Sequence, residues 1–283
     1  MLQAALINLW RGNHMNKNYY IIGLPDSGKT SFIGALGFYL VWGNTNMSKF
    51  LMDTVNDMVY INDVAMQWAK CEKVSRTNKN AFYNIILNLV EKETGNKVNI
   101  KIPDQSGETF RHIINERVIN EEKYRQLLDC SDFLIFINPS RLKRDALIPD
   151  IPEEIRNETS EEIEMSCEPH LNIQAEYVQI LQYLYYIKKN AINLKIIVSA
   201  WDMYSEYKIP EQVLKDKVPL VWQYLHTNIE KFKCEFWGIS AQGGDLDDQK
   251  IQERLVDYDN QIERIIVVNH SGEQSNDITS ILA

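Results

Sequence analysis

The chain has 283 residues, 45% of them hydrophobic and 24% charged, with a formal net charge of −9. This length suits one domain with insertions rather than two full domains, and no run approaches the roughly twenty apolar residues of a membrane span. The acidic balance argues against a general nucleic-acid binder, which needs basic patches for phosphate contacts. Cys71, Cys130, Cys167 and Cys234 lie far apart with no C-x-x-C pair, which suits a reducing cytosol better than a disulfide or zinc framework.

The opening MLQAALINLWRGNH has neither a basic n-region nor a small-residue cleavage site, so no signal peptide is expected. Met15 reads as a natural start, which makes residues 1–14 an extension and 15–283 a single domain. Asn18–Ile22 predicts a buried strand running into Gly23, and Lys29–Trp42 a helix with Phe32, Ile33, Leu36, Tyr39 and Leu40 at apolar spacing. Asn46–Glu72 is helical in pattern and forms most of an insertion at about 46–76. Phe82–Val90 and Val98–Ile102 predict a hairpin through ETGNK. Gly107–Leu128 reads as helix and Phe133–Ile137 as a fully buried strand.

A second insertion, at about 140–170, contains Asp150–Glu168 with eight acidic side chains against one Arg. It is open to two readings: a solvated loop, or a docking surface for a basic partner. Beyond it come a helix at Leu171–Lys189, a strand at Leu194–Val198, a helix at Pro210–Ile229 interrupted at Pro219, and a strand at Cys234–Ile239. Asp245–Asn260 predicts a polar helix, Glu263–Val268 a strand, and Asp277 caps a helix that stops at once. The alternation predicts an α/β fold: a mostly parallel six-stranded sheet with one antiparallel edge strand, and helices on both faces.

GLPDSGKT, Gly23 to Thr30, matches G-x-x-x-x-G-K-[ST] between a strand and a helix. The loop Gly23, Pro25, Asp26, Ser27, Gly28, Lys29, Thr30 and Ser31 is the candidate phosphate cradle: backbone N–H groups face the phosphates and Lys29 neutralises their β and γ oxygens. Thr30 can place its hydroxyl on Mg²⁺. IPDQSGET, Ile102 to Thr109, follows a strand, so Asp104 is the candidate metal-side acid and Gly107 can bring its N–H to a γ-phosphate.

These motifs resemble the Ras-like (TRAFAC-class) branch of P-loop GTPases. That family reads guanine with N/T-K-x-D, and here Ser199, Ala200, Trp201 and Asp202 stand at that place. The resemblance makes Asp202 the residue that selects the base. The family's Lys has become Ala200, which leaves open whether Trp201 supplies the missing packing. The family's S-A-K appears as Ser240, Ala241 and Gln242, whose backbone N–H groups would meet the guanine O6. The resemblance also implies a switch Thr over Mg²⁺, with Thr77 the first candidate and Thr54 the second. Glu108 stands where the family orients water with Gln, and Pro25 and Asp26 alter the phosphate loop. All three imply slow turnover or help from a partner. Arg76 and Arg111 are candidate internal arginine fingers or plain surface residues.

Within the branch, the GLPxSGKT loop, the long insert, the D-x-S-G-E step and the x-x-W-D motif are most similar to bacterial double-GTPase proteins of multi-gene conflict or antiphage systems. The resemblance implies a cytoplasmic, Mg²⁺-dependent GTP/GDP switch with slow hydrolysis in which Lys29, Gly107 and Glu108 act catalytically. It also implies a protein partner as effector or activator. Two other readings remain: a non-hydrolysing nucleotide-bound module, and an ATPase or small-molecule kinase.

Overall fold

The computed structural model describes residues 16–43, 48–72, 84–103, 110, 113, 118–142 and 172–283. The strand β1 (Lys17–Gly23) shows why the sheet is covered on both sides. Its side chains alternate, so Tyr19 and Ile21 enter one hydrophobic cluster while Tyr20 and Ile22 enter the other. β1 continues into α1 (Lys29–Trp42), which packs in the first cluster with α2 (Met58–Ala69). Gly34 of α1 permits close approach: a Cβ there would stand 2.8 Å from the Cβ of Trp68. The second cluster is covered by α3 (Glu121–Asp129), α4 (Ile173–Lys188), α5 (Pro210–Lys217) and α6 (Pro219–Thr227). Pro219 separates α5 from α6, as the sequence predicts.

The remaining strands are β2 (Phe50–Val55), β3 (Ile85–Glu91), β4 (Lys97–Ile102), β5 (Asp132–Ile137), β6 (Ile192–Ser199), β7 (Phe232–Ser240), β8 (Ile266–Val268) and β9 (Gln274–Ser275). They form one sheet in the order β2-β3-β4-β1-β5-β6-β7-β8-β9. β4, β1, β5, β6 and β7 run parallel, whereas β2, β3, β8 and β9 join by antiparallel pairings. The expected β3–β4 hairpin is present. Among the described residues the sheet thus has nine strands rather than six, with antiparallel extensions at both edges.

The extra strand at one edge arises inside the segment expected to be helical throughout. Phe50–Val55 pairs with β3, and the helix starts only after Asp57, whose carboxylate accepts the Tyr60 N–H at 2.9 Å. That N-cap splits an apolar pattern that otherwise passes for one helix. A second correction concerns Gly107–Leu128. Of its described residues, Phe110 and Ile113 are helical as expected, Val118–Asn120 are not, and helix α3 begins at Glu121 with Asn120 as its cap. The polar helix near the C-terminus, α7, covers only Gln249–Val256. The acidic stretch Asp150–Glu168 and residues 1–14 lie outside the described residues.

Beyond α7 the chain covers the α1 face with a short 3₁₀ turn, Ile278–Leu282, capped by Asp277. Ile278, Ile281 and Leu282 join the first cluster. Lys195 holds this turn from within the sheet, donating to the Ile281 carbonyl at 2.7 Å and pairing with Glu235 at 3.3 Å. Burial pushes its pKa below the usual lysine value.

A buried Arg264 fastens α2 to this region. Its guanidinium lies 4.4 Å over the Trp68 ring and donates to the carbonyls of Trp68 (3.3 Å), Ala69 (3.2 Å) and Leu255 (3.3 Å) and to Cys71 Sγ. Carbonyls at a helix C-terminus lack intrahelical partners and favour a cation, so Arg264 serves as the C-terminal anchor of α2.

Candidate functional site

The C-terminal ends of β1, β6 and β7 bring three loops together, and such strand ends are where open α/β sheets bind ligands. The loop after β1 must reverse into α1 within a few residues. It does so with Asp26 at φ 60° and Gly28 at φ 89°, both in the left-handed region. Gly28 is also required by contact, because a Cβ there would lie 2.9 Å from Ser199. Ser199 Oγ in turn donates to the Ser27 carbonyl at 2.7 Å, tying the end of β6 to this loop. From the other side, the buried Tyr177 hydroxyl donates to the Phe136 carbonyl at 2.7 Å and accepts the Leu24 N–H at 3.4 Å.

Lys29 closes the loop on itself. Its ammonium donates to the carbonyls of Gly23 (2.6 Å) and Leu24 (2.9 Å) and to Ser27 Oγ (3.2 Å). Burial lowers its pKa to about 8, with the Asp26 carboxylate acting in the opposite direction. Lys29 and Thr30 line a cleft with Ile21, Ile33, Ile102 and Pro103. Pro103, which precedes Asp104, therefore borders the same cleft as Lys29.

At the end of β6 the chain turns at Ala200 (φ 54°) into a 3₁₀ turn, Trp201–Tyr204. Asp202 accepts a hydrogen bond from Ser240 Oγ at the end of β7, and Ser240 Oγ accepts the Gly243 N–H at 3.0 Å. Trp201 is not placed to cover a bound base. It is 6% exposed and packs over Gly238, where a Cβ would stand 2.4 Å from its ring. The Ala241 carbonyl accepts from the Trp68 indole at 2.8 Å, and Gln242 Nε2 donates to the Trp68 carbonyl at 3.3 Å.

The structure thus places Gly23, Pro25, Asp26, Ser27, Gly28, Lys29, Thr30 and Ser31 after β1 and Asp202, Ser240 and Ala241 after β6 and β7, at the same end of these parallel strands. A model of the Double-GTPase 1 family matches residues 20–283. The chain belongs to the Double-GTPase 1 family. It is accordingly a GTPase-type domain of the P-loop class.

Among solved structures, the S. cerevisiae Ski7 GTPase-like domain bound to GTP aligns with a TM-score of 0.44 and 15% identity, over 84% of this chain and 46% of that one. Methanosarcina barkeri Roco2 RocCORdC bound to GDP aligns with a TM-score of 0.35 and 12% identity, over 92% of this chain and 52% of that one. This Double-GTPase 1 chain therefore spans about half the length of these solved chains. Comparison with curated protein sequences found no significant match. No helix among the described residues is long and apolar enough to cross a membrane.

Thr77, Asp104, Gly107, Glu108, Arg76 and Arg111 lie outside the described residues. Thr54 belongs to β2, three strands from β1, and its hydroxyl accepts from Asn88 at 2.7 Å. At about 4.8 Å per strand it stands too far from the phosphate loop to serve there. Sequence reasoning missed Trp68, Arg264 and Tyr177, each of which supports a loop of this domain from a distant element. None stands in a motif, and an aromatic at helical spacing carries no mark of the loop it will touch.

Proposed function

We propose that this Double-GTPase 1 domain is a Mg²⁺-dependent GTP-binding switch that hydrolyses GTP slowly to GDP and phosphate. The observation carrying this reading is the tie between the phosphate loop after β1 and the end of β6, made by Ser199 and Ser27, with the Asp202–Ser240 pair directly beyond that end. An Asp202 carboxylate oriented by Ser240 can take the paired N1 and N2 protons of guanine, which adenine does not offer. The loop Gly23, Pro25, Asp26, Ser27, Gly28, Lys29, Thr30 and Ser31 receives the phosphates at the N-terminus of α1, where the backbone amides favour an anion. Lys29 exchanges the Gly23 and Leu24 carbonyls for phosphate oxygens, a replacement of two neutral acceptors by charged ones.

Thr30 lies on the cleft bordered by Pro103, which fits a magnesium site completed by Asp104 and Thr77. Bound there, Mg²⁺ supplies charge neutralisation of the β and γ oxygens. Gly107 offers its N–H to the γ-phosphate, and Glu108 replaces the water-orienting Gln of the resembling family, which supports slow turnover. The resemblance to bacterial conflict-system proteins supports a cytoplasmic role beside a protein partner that acts as effector or activator.

The test combines binding and turnover on the purified chain with Mg²⁺. Asp202→Asn is expected to move preference from guanine towards xanthine nucleotides, and GTP is expected to release phosphate over hours. Unaltered base preference overturns the role of Asp202. Guanine binding without phosphate release points instead to a non-hydrolysing module, and preference for ATP points to the kinase or ATPase class.

A further inference from the structure

The turn after β5, Pro139–Arg141 with its cap Asn138, has no part in the motifs above and meets the segments that follow β1, β6 and β7. Asn138 Nδ2 donates to the Asp26 carbonyl of the phosphate loop at 3.4 Å. The Tyr204 phenol, from the turn after β6, hydrogen-bonds the Ser140 backbone. Arg141 Nη2 reaches Asp247 Oδ2 at 3.4 Å, and Asp247 lies beyond Ala241 in the segment leaving β7.

That last pair fixes where Arg141 runs. β5 and β7 are not neighbours, because β6 lies between them. Strands two apart stand about 10 Å from each other. A bridge from the turn after β5 to the segment after β7 therefore crosses the C-terminal end of β6, where Ser199, Ala200, Trp201 and Asp202 stand. Ala200 offers only a methyl group beneath that crossing, and Trp201 is buried against Gly238. Arg141 lines a cleft together with Leu24, Pro25, Asp26 and Tyr177, beside the phosphate loop.

We propose that Arg141 covers the purine of the nucleotide, its guanidinium lying on the face of the base whose edge Asp202 reads. The inference rests on the nucleotide-binding function proposed above. A planar guanidinium stacks on aromatic rings, through both cation–π attraction and packing, in a way an alanine cannot. Its present ion pair is no obstacle: the Arg141 and Asp247 side chains are 56% and 48% exposed, and such a pair is weak and screened by salt. Nucleotide binding replaces that exposed contact with a desolvated one.

The experiment measures binding of GDP, ADP and inorganic pyrophosphate to the full chain, as wild type, Arg141→Ala and Arg141→Lys. Melting of the nucleotide-free proteins provides the folding control. Arg141→Ala is expected to weaken GDP by about thirtyfold, the size of a desolvated cation–π contact. Arg141→Lys loses less, and pyrophosphate affinity stays within about twofold, a difference too small to count as a lost contact. Unchanged GDP affinity overturns the proposal. So does an equal loss for GDP and pyrophosphate, which places Arg141 on the phosphates. Equal binding of ADP and GDP that still depends on Arg141 overturns the base reading by Asp202 alone. Absence of all nucleotide binding to the wild type overturns both.

Discussion

The phosphate loop and the base-side loops stand at the same end of the sheet but are built by different means. Between Gly23 and Thr30 the shape is a property of the backbone: two left-handed residues, a strand ending in glycine, and a lysine folded onto its own loop. The base side is held by side chains from far along the chain. Ser240 orients Asp202, Ser199 reaches Ser27, and Trp68 pins Ala241 across 173 positions. A backbone-built loop has few alternative sequences, so its motif survives intact. A side-chain-built loop can exchange its supports, and Ala200 stands where the Ras-like resemblance leads one to expect Lys.

The largest expected effect falls on the backbone-built half. Replacing Lys29 by alanine removes a charge-assisted donor, each such bond contributing about 1.5–3 kcal/mol, so GTP affinity should fall by roughly a hundredfold or more. Isothermal titration checks it. Retained affinity would show that phosphates bind elsewhere and would dissolve the distinction between the two halves. Next in size is Arg264→Leu on the side-chain-built half. It strips a buried guanidinium from the Trp68, Ala69 and Leu255 carbonyls, and leaving buried acceptors unsatisfied costs about 1–3 kcal/mol. Urea denaturation should show that loss. A change below about 1 kcal/mol, the worth of one ordinary hydrogen bond, would mean the anchor of α2 contributes little.

The legibility of the molecule follows the same division. β1, β5, β6 and β7 were readable because continuous apolar runs between breakers leave little else for Tyr19–Ile22, Phe133–Ile137 or Leu194–Val198 to be. β2 was not. Phe50, Met52 and Val55 fit a helical period as well as a strand, and only pairing with β3 decides between them. β8 was readable as the apolar end of Glu263–Val268, whereas the two residues of β9 carry no pattern and are a strand only through pairing with β8. At the site, Gly23–Thr30 announced itself. The burial of Trp201 depended on Gly238, thirty-seven residues away, and no local pattern states that partnership.

A third test uses pH to separate the halves. Lys29 has a pKa of about 8 in the nucleotide-free fold and 10.5 when exposed. Between those values the unfolded chain holds a proton that the folded chain has shed, so this group makes stability rise with pH across that window and contributes no slope below it. Phosphate binding needs the ammonium, so the opposite sign applies to affinity: GDP should bind about tenfold more weakly at pH 9 than at pH 7. Titrations across that range check it against Lys29→Ala, which should lack the slope. A wild-type profile as flat as the variant's would show that Lys29 stays charged throughout.

The smallest expected effect tests whether the two halves communicate through α2. Trp68→Phe keeps an aromatic ring beneath Arg264 and against Gly34, but removes the indole N–H that meets the Ala241 carbonyl at 2.8 Å. Loss of one buried hydrogen bond predicts about 1 kcal/mol of stability. If Trp68 also positions the base-side loop, discrimination between GDP and ADP should narrow by a few fold, within the reach of that same bond energy, while pyrophosphate affinity holds. Stability loss with unchanged discrimination would make Trp68 a core residue alone. Narrowed discrimination would mean that the helical insert, absent from any motif, sets the accuracy of the site through its hold on Ala241.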